Sequence, residues 1–121
     1  MPFVCPQCLT PGSLEIVLKI ELPPDERSDE VAVQVVQCKR LSCGFRGLAL
    51  YEESRRGAMD SVNHIGYRAG RQQVKQIEEL IAACPEPDNH SCDCASHALL
   101  SREKLSPDAR RESFPMRLAP G

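Results

Sequence analysis

Tryptophan is missing from this chain of 121 residues, and aromatic side chains of every kind make up only 4% of it. With 41% of residues hydrophobic, such a chain buries a thin core, and domains of this size commonly need extra cross-links. Its uninterrupted apolar runs are a few residues long, far short of the ~20 that span a bilayer, so no membrane partner is expected. The start, MPFVCPQC, has no charged leader followed by an apolar stretch, and no secretory signal is read there. The net charge of −2 carries no positive excess that would point to a nucleic-acid partner. G-x-x-x-x-G-K-[ST], G-x-S-x-G and H-E-x-x-H are all missing, so neither a phosphate-cradling loop, a serine nucleophile nor a helical zinc-protease site is written in the chain. No small-molecule substrate is evident.

What the chain does have is sulfur. Seven cysteines stand among the 121 residues, an odd count that disfavours a closed disulfide framework. The expected compartment is cytoplasmic and reducing, where cysteines serve more often as metal ligands than as disulfides. The length fits one small domain with appendages.

Along the chain, a turn-rich entry ends at Pro11-Gly12. Leu14, Ile16, Leu18, Ile20 and Leu22 then alternate with Glu15, Lys19 and Glu21, broken only by Val17, which predicts a half-buried strand. PPDERSDE at 23–30 is an acidic connector expected to be exposed and mobile. VAVQVVQ at 31–37 and GLALYEE at 47–53 read as two further strands, giving a three-stranded antiparallel meander. Residues 54–70 carry no clean period and are left irregular. Val74, Ile77, Leu80, Ile81 and Cys84 lie at helical spacing, and Pro85 stops that helix. A second helix is expected over 96–105, a capped turn at Ser106-Pro107-Asp108, and a loose tail beyond. The division is residues 1–53 as a β domain, 54–106 as a helical segment, and 107–121 as a flexible tail.

The cysteines fall into two groups. Cys5 and Cys8 form one pair, Cys38 and Cys43 another, with the first two strands between them. A hairpin brings its ends together, so these four thiols are expected to meet at one end of the sheet as a tetrahedral zinc site. Gly44, directly after the last of them, suits a tight turn with positive φ. The second group lies in CPEPDNHSCDCASH, residues 84–97. Cys84 closes a helix, Cys92 and Cys94 span a turn, and His97 opens the next helix, so a second zinc would staple two helices. His90, in the loop, is the alternative fourth ligand. Four ligands in the first site and three cysteines with a histidine in the second leave no cysteine over.

CPQC at 5–8 and CKRLSCG at 38–44 resemble the zinc-ribbon family of transcription factors and RNA polymerase subunits. The resemblance covers residues 1–53, and Cys38 and Cys43 are separated by four residues where the family usually has two. It implies a three-stranded ribbon with Cys5, Cys8, Cys38 and Cys43 on zinc, and it speaks to fold far more than to function.

Competing chemistries are weaker. CPQC as a redox pair needs a helix after its first cysteine, and Leu9-Thr10-Pro11-Gly12 is a turn. An open catalytic zinc on Cys84, Cys92 and Cys94 would carry three thiolates, which make a poor Lewis acid. Arg55, Arg56, Arg68, Arg71 and Lys75 form a basic stretch that is either a solvated surface or a contact face, and the acidic connector is placed to cover it. The expectation is therefore an α+β protein in which a small three-stranded zinc-ribbon sheet is followed by a helical segment stapled by a second zinc. Such a protein is expected to hold two zinc ions, not to be an enzyme, and to mediate binding to another macromolecule. A protein is the expected partner; a nucleic-acid-binding ribbon is one alternative, and a thiol- or zinc-based sensor or enzyme the other.

Overall fold

The first alternating run becomes strand β1 (Leu14–Leu22), and Val17, the residue that spoils the alternation, is where its architecture turns. In the computed structural model, which describes residues 3–55 and 60–118, β1 pairs antiparallel with β2 (Glu30–Cys38). The register slips between Ile16 and Leu18, with Ile16 opposite Val36 and Leu18 opposite Val35. One extra residue at a β-bulge turns every later side chain to the other face. Leu14 and Ile16 consequently pack into one apolar cluster and Ile20 and Leu22 into another, whereas the period-two spacing of these four residues predicts a single face.

The sheet is wider than the sequence suggests. Strands β3 (Arg46–Ser54), β4 (Ser61–Tyr67) and β5 (Ser113–Pro115) complete a five-stranded antiparallel sheet in the order β1-β2-β3-β4-β5, which overturns the expected three-stranded ribbon. β4 lies in the stretch read as irregular. Its sequence, SVNHIGY, offers no strand-like alternation, and it is held by pairing along β3 from Leu48↔Tyr67 to Ser54↔Ser61. β5 comes from the segment expected to be a loose tail. Phe114 packs over Gly66 of β4, where a Cβ would fall 2.3 Å from the ring, so only glycine admits it.

Two helices cover one face. α1 (Arg71–Ala83) buries Val74, Ile77 and Ile81, and α2 (Ala95–Glu103) buries Leu100, all against Ile20, Val33, Val35, Leu48 and Leu50 of the sheet. Each such side chain contributes roughly 1.5–3 kcal/mol on full burial. α1 ends where its sequence requires: Cys84 precedes Pro85 and takes an extended backbone. On the opposite face, the two chain ends fold over one half of the sheet. Phe3, Phe114 and Met116 there enclose Leu14, Val36 and Ala49.

The acidic connector sits at the end of the sheet where β1 leaves and β2 enters, and of the basic stretch it meets Arg55, which pairs with Glu30 at 3.1 Å. Asp25 ties it down, accepting from the backbone N–H groups of Arg27 and Ser28 and from Lys104 at 2.8 Å. Lys104 also reaches Glu52 on β3 at 2.9 Å, joining the end of α2 to the sheet. Among the described residues, no helix is long and apolar enough to cross a membrane.

Candidate metal centres

The start of β1 and the end of β2 bring the first two cysteine pairs together. Leu14 stands opposite Cys38, and Cys5 and Cys8 lie in the turn that leads into β1. Cys5 Sγ is 3.7 Å from Cys43 Sγ, and Cys8 Sγ is 3.8 Å from Cys38 Sγ. All four sulfurs lie within 4.8 Å of one another. A disulfide would need about 2.05 Å, so none of these thiols is bridged. Sulfurs at the corners of a tetrahedron, each ~2.3 Å from a central zinc, stand ~3.8 Å apart, so the donor set fits such an ion. We call this group site 1.

Each pair forms a knuckle of the same shape. The residue after the second cysteine takes the left-handed region, Gly44 at φ 68° and Leu9 at φ 61°. In one knuckle the Leu9 N–H returns to the Cys5 carbonyl at 3.0 Å; in the other the Gly44 N–H returns to the Arg40 carbonyl at 3.1 Å. Gln7 bridges the two, donating from Nε2 to the Cys43 carbonyl at 3.1 Å and to its sulfur at 3.5 Å. The Thr10 hydroxyl lies 3.4 Å from Cys8 Sγ and accepts from Arg40 at 2.6 Å. Hydrogen bonding at Thr10 holds the Cys8 thiol down to about 6, whereas burial pushes Cys5 up to about 12.

Site 2 gathers Cys84, Cys92, Cys94 and His97, whose donor atoms also lie within 4.8 Å of one another. Cys84 is the residue that caps α1, and Cys94 caps the start of α2, its sulfur accepting from the His97 N–H at 3.4 Å. Cys84 Sγ lies 3.8 Å from Cys92 Sγ and 3.2 Å from His97 Nδ1, and Cys94 Sγ is 3.3 Å from the same nitrogen. The other ring nitrogen decides the tautomer. His97 Nε2 donates to the Glu21 carbonyl at 2.8 Å, so the proton sits there and Nδ1 offers its lone pair to a metal among the sulfurs. Metal-binding histidines are typically oriented by such an outer hydrogen bond. Burial pushes Cys84 up to about 11, and the His97 N–H holds Cys94 down to about 6.

His90 stays outside the cluster, exposed in the loop with its ring 3.4 Å from the Ser91 hydroxyl, so it is not brought to site 2. The basic residues are also divided. Arg68, Arg71 and Lys75 belong to the site 1 end, while Arg55 lies at the far end of β3, paired with Glu30 and Glu53. Arg56 lies outside the described residues. The outer partners of both sites escape a reading of the sequence. Gln7 and Thr10 at least stand beside the cysteines, but the Glu21 carbonyl lies 76 residues from His97 and carries no side-chain signal.

In each site two donors are fully buried and two half-buried: Cys5 and Cys38 in one, Cys84 and His97 in the other, are the buried ones. Both groups can therefore hold a metal ion, and their sulfur and imidazole donors are consistent with zinc. No family model, curated protein or solved structure matches the chain, and the zinc-ribbon resemblance thus rests on the two knuckles alone.

Proposed function

We propose that the protein is a non-catalytic module held together by two structural zinc ions, which presents the uncovered face of its sheet to another protein. The observation that carries this reading is the closure of both tetrads: four protein donors around each centre leave no position for water or substrate. Thiolate-rich sites of this kind contribute ~10 kcal/mol or more of apparent folding free energy, which suits a chain with a thin core. The choice of a protein partner rests on the face that the helices leave open. A groove of about 820 Å³ runs across it, walled by Phe3, Ile16, Tyr51, Val62, Met116 and Leu118. Val62 is 61% exposed and Leu118 56%, an apolar surface that a water-facing sheet does not need.

Native mass spectrometry should find two zinc ions per chain. A Val62→Asp, Leu118→Asp double variant should keep both ions and its fold but lose any protein partner recovered with the wild type. Retention of the partner by the variant would remove the sheet face from the reading. A salt-sensitive shift of labelled DNA or RNA would instead favour a nucleic-acid partner.

A further inference from the structure

Charge is segregated along the sheet although the chain as a whole is nearly balanced. Asp25, Glu30, Glu52 and Glu53 crowd the site 2 end, matched in part by Lys104 and Arg55. The opposite end holds a cleft of about 690 Å³ between the first knuckle, the start of β3 and the first turns of α1. Arg46, Arg71 and Lys75 line it, with Glu78 the sole carboxylate among its described lining residues. Arg68 stands at its margin, its guanidinium 5.7 Å from the centroid of the Phe45 ring that forms part of the wall.

These cations are not equally engaged. Arg46 is paired with Glu78 at 3.0 Å, Arg68 donates to the Pro6 carbonyl at 2.8 Å, and Arg40 turns to Thr10 of site 1. A tetrathiolate zinc would carry net negative charge, and Arg40 and Arg68 are the cations tied to the residues of its first knuckle. Arg71 and Lys75 remain. They lie one helical turn apart on α1, both exposed, with no acidic partner among the described residues. Two like charges so placed repel each other unless an anion lies between them.

We propose that this cleft binds a phosphorylated small molecule. A phosphate group offers several charged oxygens in a small volume and takes a bidentate guanidinium fork together with an ammonium, the set that Arg71 and Lys75 supply beside the Arg46–Glu78 pair. The cleft is concave and bounded by three elements, and its volume lies in the range of small-molecule sites. Ala69, Val74 and the Phe45 ring give an organic body an apolar wall beside the charges.

The test is titration of the zinc-loaded full chain with inorganic pyrophosphate and with phenyl phosphate, followed by calorimetry. Both should bind, and an Arg71→Glu, Lys75→Glu variant should weaken binding by about tenfold or more, the loss expected for charge-assisted hydrogen bonds. Arg102→Glu, on the last turn of α2, and the Val62→Asp, Leu118→Asp variant should leave it unchanged, so this site and the sheet face fail separately. Zinc content should stay at two per chain throughout. No binding, or equal loss in Arg102→Glu, overturns the proposal. An acidic peptide that binds as tightly as pyrophosphate, or a single-stranded oligonucleotide that binds far more tightly, also overturns it.

Discussion

Site 1 takes its sulfurs from segments 30 and 38 residues apart, which the β1–β2 hairpin has already brought together. Site 2 takes all its donors from residues 84–97, and its segment is tied to β1 by two hydrogen bonds, from His97 Nε2 to the Glu21 carbonyl at 2.8 Å and from the Glu21 N–H to the Pro87 carbonyl at 2.7 Å. β1 separates the two sites by about 25 Å, at ~3.3 Å per residue. The difference is one of task. Site 1 finishes an end of a sheet that ladder bonds hold in register. Site 2 fixes the ends of two helices to each other and then to the sheet, where the helices bury few large side chains of their own.

That contrast can be broken most forcefully by taking ions away. Complete chelation is expected to unfold the chain, since a structural zinc in each tetrad would contribute ~10 kcal/mol of apparent stability. The two halves should then separate by substitution. Cys84→Ser should lose one ion and most of the helical circular dichroism while the sheet signal persists. Cys38→Ser should lose the other ion and spare the helices. If either variant loses both ions and all structure together, the two ends form one cooperative unit and the contrast is wrong.

A smaller effect is expected from His97→Cys, which keeps four donors but removes the hydrogen bond to Glu21. Metal affinity at site 2 should fall about 10–100-fold, measured by competition with a chromophoric chelator. Unchanged affinity would mean that the tie to the sheet does not matter to the site.

Next in size is Asp25→Asn at the site 2 end. The hydrogen bond from Lys104 holds the Asp25 carboxyl down to about 2, from an ordinary 3.8. A depressed carboxyl stabilises the fold above its unfolded value and loses that contribution only as pH falls towards 2. The variant should therefore be less stable by about 1 kcal/mol or less, with a gap that stays flat between pH 8 and 5 in denaturant titrations. A gap that changes within that window would point to a different group.

The smallest change compares the two knuckles of site 1. Leu9 takes a left-handed backbone with its side chain 69% exposed, where its counterpart is Gly44. Leu9→Gly should stabilise the protein by about 0.5–1 kcal/mol, because the strain on Cβ disappears while little packing is lost. Thermal melts of the zinc-loaded protein would detect it, and a lower melting temperature would show that the Leu9 side chain matters more than its backbone.

Several features are legible in the sequence alone. The spacing of Val74, Ile77 and Ile81 with Pro85 marks the end of α1 to within one residue, at Ala83 rather than Cys84, because helix periodicity and proline sterics act within a few residues. Gly44 declares its turn for the same reason. β4 and β5 are illegible there, since SVNHIGY and SFP become strands only through partners supplied by β3 and by each other. Val17 shows the limit most clearly. Its break in the pattern is plain to see, but that the break turns the strand over is decided by the register against Val35 and Val36.

By itself, then, the sequence determined which atoms are available to grip metal: seven thiols and an imidazole at spacings that metal coordination tolerates, a matter of residue type and local reach. Only the tertiary structure decided that the sheet has five strands, that its apolar groove lies opposite the helices, and that Arg46 and Phe45 come to face Arg71 and Lys75. Those outcomes depend on strand pairing across long separations, where each contact is set by the rest of the fold rather than by its neighbours in the chain.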